Sequence, residues 1–406
     1  MELQETHSQA EQVMSAIFSA AGGNDISDIQ IRSGSYVYCH TRHGLEIITQ
    51  LGELTPLDVM NLVKFLYTRH ENDTSSTLSK LQNQDDIEAR LVNNKVADFS
   101  CDGFALPDGR VSGRMRIQTH LSTNGPGITC RILSDEIADL GTLGIAPDTI
   151  RALQEFMKRR QGFGLVTGQT NSGKSTTLAA IIDWLHQNHP RHIVTVEDPI
   201  EYHYSRFVTT TAQNAPPLPS PGFVTQQEVG KHVESYKQGL KDALRKAPHV
   251  ILIGEIRDME TMEIAIEAAQ TGHIVISTLH TNGAVKTLSR ILEFFPQDQH
   301  RSLLGRLSEI LMFILSQGLI PTDNGRVLNY EFLQNNSSAV RSGISSYDGA
   351  AKSLEDAIRH SGNIEWDSNL KNLLKSGKIS HQAFEMNRMS EGEGDEFLFI
   401  PEKAGF

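Results

Sequence analysis

Residues 168–175 read Gly168-Gln169-Thr170-Asn171-Ser172-Gly173-Lys174-Ser175, with Thr176 next. This is the pattern G-x-x-x-x-G-K-[ST], placed between the apolar run Phe163–Thr167 and the helical run Thr176–His186. The glycines let backbone wrap closely around phosphate groups. Successive N–H groups and the helix N-terminus then face their negative charge. Lys174 is placed to reach β- and γ-phosphates, and the Ser175 hydroxyl to hold Mg²⁺. The expected ligands are ATP and Mg²⁺. A guanine-reading N-K-x-D is not matched, because Asn94-Lys-Val-Ala-Asp98 is one residue too long and precedes the loop.

Two acidic segments follow. Val194-Thr-Val-Glu-Asp-Pro-Ile-Glu201 places Glu197 and Asp198 just past an apolar strand, and Val250-Ile-Leu-Ile-Gly-Glu-Ile-Arg-Asp258 does the same for Glu255. Carboxylates at the C-terminal edge of a parallel sheet lie where ligands bind. There they order Mg²⁺ or take a proton from the attacking water. Glu255 is the first choice for activating or positioning the water, Glu197 is the alternative, and both are candidates for the metal. In Thr271-Gly-His-Ile-Val-Ile-Ser-Thr-Leu-His-Thr-Asn282, His273 precedes a strand and His280 follows it. That puts His280 at the catalytic edge, where a histidine can sense a γ-phosphate, and His273 is a second candidate for binding the nucleotide.

These groups need a scaffold. Short apolar runs at Phe163–Thr167, Ile193–Val196, Val250–Ile253 and Ile274–Thr278 alternate with helical stretches, which predicts parallel βα units around a covered sheet. Residues 298–320 and 334–389 read as helical, 205–224 as a Pro-rich exposed excursion, and 390–406 as an acidic flexible tail. Before this core, residues 1–134 read as a small α+β domain. A helix over 1–24 carries Val13, Met14, Ile17 and Phe18 on one face. Strand patterns follow at Asp28–Ile31, Tyr36–Cys39, Leu45–Ile48, Ala97–Ala105, Val111–Thr119 and Ile128–Leu133. A helix begins near Pro56, residues 71–86 read as a loop, and 135–147 as a linker. The ATPase core is expected over 148–333.

Composition narrows the function. The 406 residues carry 37 basic and 49 acidic groups, a net charge of −12, which disfavours nucleic acid as a direct partner and argues against a DNA translocase. Three cysteines, Cys39, Cys101 and Cys130, form no C-x-x-C pair, so neither a disulfide scaffold nor a four-cysteine zinc module is expected. No apolar run spans a membrane, and the polar start lacks a secretory h-region, so the expected location is cytoplasmic. His186, His189 and His192 are interrupted by Pro190 and do not share a helix face, which argues against a metal site.

In order and spacing, the phosphate loop, the acidic box Glu197–Glu201, Gly254–Asp258 and the histidine box around His273 and His280 resemble the PilT-type secretion ATPases. Supporting matches include Gln227-Glu-Val-Gly230, Ala243-Leu-Arg-Lys-Ala-Pro248 and Ser316-Gln-Gly-Leu-Ile-Pro321, and the resemblance runs from about Ser27 to 382. The segment from Ile364 to Ser380 is most similar to the DotB and plasmid TraJ branch, which serves type IVB secretion and conjugative transfer. The resemblance implies an α/β protein with a PAS-like N-terminal domain and a RecA-like P-loop ATPase core with a helical C-terminal region. It implies a homohexamer that works with inner-membrane platform or secretion-channel proteins, and through them associates peripherally with the inner membrane. It also implies that Arg114, Arg116 and Arg131 of the N-terminal domain reach the nucleotide. Leu121, Lys241 and His249 depart from the family pattern. So does Ala339-Val-Arg-Ser-Gly-Ile-Ser-Ser346, which replaces the retraction-type signature.

Overall fold

The structure, a computed structural model, describes residues 2–20, 26–41, 44–71, 84–101, 103, 113–133, 136–208, 218–322, 325–349, 354–356 and 363–389. Two compact units divide the chain, Met1–Glu136 and Ile137–Phe406. The first contains α1 (Glu2–Ala20), β1 (Ile26–Arg32), β2 (Val37–Thr41), β3 (Gly44–Ile48), α2 (Pro56–Glu71), α3 (Gln84–Asn94), β4 (Val96–Cys101), β5 (Met115–Ser122) and β6 (Gly125–Ile132). Its strands form an antiparallel sheet in the order β3-β2-β1-β6-β5-β4. Alternation does the folding work here. Ile29, Cys39, Ile117 and Cys130 face a core built with Met14, Ile17 and Phe18 of α1, Leu62 and Leu66 of α2, and Leu91 of α3. The segment read as a loop over 71–86 gives way to α3 from Gln84, whose apolar Ile87 and Leu91 are one helical turn apart and buried.

The second unit contains α4 (Pro147–Lys158), β7 (Gly162–Thr167), α5 (Lys174–Asn188), β8 (His192–Glu197), β9 (Phe207–Val208), β10 (Leu218–Pro219), β11 (Phe223–Glu228), α6 (Tyr236–Leu244), β12 (Val250–Ile253), α7 (Met259–Gln270), β13 (Ile274–Leu279), α8 (Ala284–Glu293), α9 (His300–Ile310), β14 (Leu311–Thr322), β15 (Gly325–Gln334), α10 (Ser338–Ser345), α11 (Trp366–Lys375) and α12 (His381–Asn387). The main sheet runs β11-β8-β12-β13-β7-β14-β15, parallel except for the last pair. β7, β12 and β13 are buried along their whole length. Helices cover both faces of such a sheet, so its strands read as continuous apolar runs. Val250 and Leu252 point into the core shared with α4 and α5, while Ile251 and Ile253 point into the core shared with α6, α7 and α9.

Three expectations are corrected. Residues 298–320 are not one helix: α9 ends at Ile310, Leu311 turns extended (φ −61, ψ 123), and β14 pairs with β7. A strand buried on both faces has no period-2 signature, so Leu311–Leu315 could not be told from a buried helix by pattern. The excursion near 205–224 closes on β11, a parallel edge strand on β8; residues 209–217 lie outside the described residues. The segment read as a linker is packed, with Leu140 and Ile145 buried in the sheet's core. The acidic tail, 390–406, lies outside the described residues. Among the described residues, no helix is long and apolar enough to cross a membrane, and no group of three His, Cys, Asp or Glu side chains could hold a metal ion.

Candidate functional site

Parallel register brings the chemistry to one edge of the sheet. The phosphate loop leaves β7 at Thr167, Glu197 ends β8, Glu255 lies two residues past β12, and His280 follows β13 directly. The loop turns on Gly168 (φ +145), Asn171 (φ +63) and Gly173 (φ +86), and α5 starts at Lys174. Gly168 must be glycine for a second reason. A Cβ there would lie 2.2 Å from the Gln317 carbonyl oxygen and 2.5 Å from Ser172 Oγ. Gln317 on β14 also donates Nε2 to the Ser172 carbonyl at 2.8 Å, tying the loop to the sheet.

Several features fit this loop to an anion. The buried Lys174 amine donates to the carbonyls of Gly168 (2.9 Å) and Gln169 (2.7 Å), within its own loop. Burial lowers its pKa to about 8, and the carboxylates of Glu255 and Glu201 pull against that shift. Ser172 Oγ is buried without a hydrogen-bond partner. An unsatisfied hydroxyl, a confined ammonium and a helix N-terminus around one concave turn suit phosphate oxygens. Ser175 stands in the first turn of α5, while Thr176 bonds the Tyr202 hydroxyl at 2.9 Å. The hard oxygen donors of Ser175, Glu197 and Glu255 suit Mg²⁺.

The two carboxylates live in opposite surroundings. Burial pushes Glu197 up to about 7, against hydrogen bonds from Thr195 Oγ1 (2.6 Å) and Gln226 Nε2 (3.3 Å) to its Oε1. Burial would also raise Glu255. There, hydrogen bonds and charge from His280 and Arg257 prevail and hold it at about 2. His280 Nε2 lies 3.3 Å from Glu255 Oε1, and Arg257 contacts Oε2 at 2.7–2.8 Å. Gly254 keeps the neighbouring strand ends close. A Cβ there would meet the Tyr236 hydroxyl at 3.1 Å and the Glu197 Cα at 3.4 Å.

Not every predicted residue arrives at this edge. His273 lies one residue before β13, about 20 Å along the strand from the edge where His280 emerges. Its Nδ1 is 3.1 Å from the Ala268 carbonyl, so within the chain it is not brought to the phosphate loop. Arg114, Arg116 and Arg131 belong to the first unit. Arg114 is buried just before β5. Arg116 and Arg131 are exposed cross-strand neighbours on β5 and β6, and Arg131 Nε bonds Asp28 at 2.9 Å. Of the departures, His249 accepts the backbone N–H of His192 at Nδ1 (2.9 Å). Sequence reading missed the roles of Gln317, Gln226 and Tyr202. Of these, only Gln317 lay in a quoted segment, and nothing there pointed to a contact with the loop.

The type II/IV secretion system protein family matches residues 102–364. The chain belongs to that family. It is 34% identical over 366 residues to the twitching motility protein of Neisseria gonorrhoeae, covering 88% of this chain and 87% of that relative. Among solved structures it is similar to the pilus retraction motor PilT with bound ADP (TM-score 0.72, 32% identity, 91% of this chain and 95% of that one). It is also similar to the ATPase DotB of Legionella pneumophila (TM-score 0.71, 25% identity, 91% and 93%). As a type II/IV secretion system family protein, it has the N-terminal α/β domain and the RecA-like ATPase domain of those structures.

Proposed function

We propose that this family member hydrolyses ATP and works as a motor subunit of a bacterial secretion or conjugative-transfer machine. The observation that carries the reading is the split between Glu197 and Glu255, which lie at the ends of neighbouring strands, at the sheet edge where the phosphate loop emerges. Two acids whose surroundings push their pKa values apart take different roles. Glu197, near neutrality, accepts a proton from water, since a base poised near the working pH transfers best. Glu255, held ionised by Arg257 and His280, serves as fixed charge. Lys174 and the loop amides bind the β- and γ-phosphates of ATP, and Ser175 with Glu255 would hold Mg²⁺. Bound Mg²⁺ neutralises charge developing on the phosphate oxygens. His280, hydrogen-bonded to Glu255, is placed to report loss of the γ-phosphate.

Arg116 and Arg131 lie directly opposite on an antiparallel pair, and Asp28 on the next strand offsets the charge of Arg131. We assign them, with Arg114, to reading the nucleotide's phosphates within a ring of six copies. A cytoplasmic ring docked on inner-membrane platform or channel proteins, with no direct hold on nucleic acid, completes the reading. The secretion and conjugation branch is supported by Ala339–Ser346, which lacks the retraction signature. A second reading, pilus retraction proper, is favoured by the higher identity to the twitching motility protein and PilT (34% and 32%) than to DotB (25%). The test is phosphate release from ATP by size-fractionated wild type and Lys174→Ala. Activity confined to the large fraction and abolished in the variant supports a ring ATPase. Full activity in a monomer, or in Lys174→Ala, contradicts it.

A further inference from the structure

Glu331 is a half-buried acid in the interior of β15 that the scheme above does not use. Its Oε1 accepts the backbone N–H of Ala284, the first residue of α8, at 2.6 Å. The backbone N–H of Trp366, the first residue of α11, faces the same carboxylate and favours its charge. Neither helix has a side-chain cap of its own at that end. One carboxylate therefore caps α8 and faces the N-terminus of α11, and both ends favour negative charge. Burial pushes the carboxyl up to about 7, with the backbone N–H groups of Ala284 and Trp366 opposing and the charges of Glu365 and Glu355 reinforcing the shift.

What the two helices carry gives the clamp its meaning. The only residues between His280 and α8 are Thr281, Asn282 and Gly283. Ser316, opposite Glu331 across the β14–β15 pair, takes the Gly283 N–H at 2.7 Å. On the other side, the Trp366 ring packs over Gly318, where an added Cβ would lie 2.7 Å from it. Trp366 Nε1 donates to the Asn387 carbonyl at 2.8 Å, and Met389 N to Asp367 at 2.8 Å. The C-terminal helical segment is thus strapped to the strand whose Gln317 holds the phosphate loop.

We propose that Glu331 is a positioning residue for hydrolysis. By joining the N-termini of α8 and α11, it fixes the His280 segment and makes that geometry depend on docking of the C-terminal helices. The proposal rests on the ATPase reading above and deepens it. Glutamine at 331 removes the negative charge that both helix N-termini favour and brings an amide NH2 against their N–H groups. The experiment is steady-state ATP hydrolysis at pH 8 by the full chain as wild type, Glu331→Gln, His280→Ala and the double variant. The expected result is a kcat lowered by about tenfold in Glu331→Gln with KM for ATP unchanged within about twofold, the signature of misplaced reacting groups rather than lost binding. Because Glu331 acts through the His280 segment, the double variant is expected to be no slower than His280→Ala. An unchanged kcat in Glu331→Gln, a rise in KM alone, or losses that multiply in the double variant overturns the proposal. If Glu331→Gln does not fold, Ser316→Ala, which removes the adjacent anchor of the same segment, is expected to show the same kcat-only loss; a normal kcat there overturns it. A wild type that does not hydrolyse ATP at all contradicts the ATPase reading instead, so the two failures are distinct.

Discussion

Replacing Gly168 with alanine tests the phosphate loop at its tightest point. The new methyl carbon would lie 2.2 Å from the Gln317 carbonyl oxygen and 2.5 Å from Ser172 Oγ. Contact normally needs about 3.5 Å, so loop and strand must part by roughly 1 Å. The backbone adds strain: φ is +145, and side-chain-bearing residues held there cost about 1–3 kcal/mol. Parting the loop from β14 also breaks the 2.8 Å bond from Gln317 to the Ser172 carbonyl, worth about 1 kcal/mol. The expected total is on the order of 2–4 kcal/mol, which for a unit of this size lowers Tm by roughly 5–15 °C. Gly230→Ala is the control. Its φ is +81 but nothing lies within 4 Å of its added Cβ, so it carries strain without a clash. Thermal melts with and without ATP, together with a nucleotide titration, read both effects. Gly168→Ala should lose Tm and bind nucleotide about tenfold more weakly or worse, whereas Gly230→Ala should bind as wild type. A Gly168→Ala protein with wild-type affinity and a Tm within about 2 °C of wild type would refute the reasoning.

Two further outcomes follow from the acidic pair. Thr195→Val removes the hydroxyl that favours ionised Glu197, so the pKa rises further and the acid limb of the pH–rate profile moves up by roughly 0.5–1 unit; an unmoved limb separates Thr195 from the base. Glu255 is depressed to about 2, so its pairing stabilises the fold above its ordinary pKa and that gain disappears as pH falls through the folded value. Arg257→Ala should therefore lose stability at pH 6 and match wild type near pH 2. Because the Arg257 side chain is 63% exposed, the loss should stay below about 1 kcal/mol; denaturant titrations at the two pH values check it.

Much of the catalytic edge was legible because parallel strands announce themselves as short apolar runs, and the residue after each run must emerge at the same edge. That logic located Glu197, Glu255 and His280; His273, also read as a nucleotide-binding histidine, precedes its strand and so lies at the opposite end of the sheet. It failed at β14 for the same physical reason. Leu311–Leu315 is as apolar as β7 but is preceded by a helix and contains no turn residue, so the pattern ran on as helix. Asn324-Gly325, a hairpin dipeptide between two apolar runs, was the available correction for β14 and β15. The contrast between Glu197 and Glu255 was not legible. It arises from partners brought in by folding, such as Gln226, 29 positions from Glu197, and from how deeply each strand end is covered. Gln317 lies 145 positions from Ser172, and no local pattern reports such a contact.

The central claim is that Glu197, and not Glu255, takes the proton from water. The direct measurement is phosphate release from ATP between about pH 5.5 and 9 for wild type, Glu197→Gln and Glu255→Gln. The wild-type rate should rise about tenfold per pH unit and level near the Glu197 pKa of about 7. Glu197→Gln should lose that limb and about 10²–10⁴ in rate, while Glu255→Gln, though slowed, should keep it. A limb that survives in Glu197→Gln, or that vanishes only in Glu255→Gln, would contradict the account.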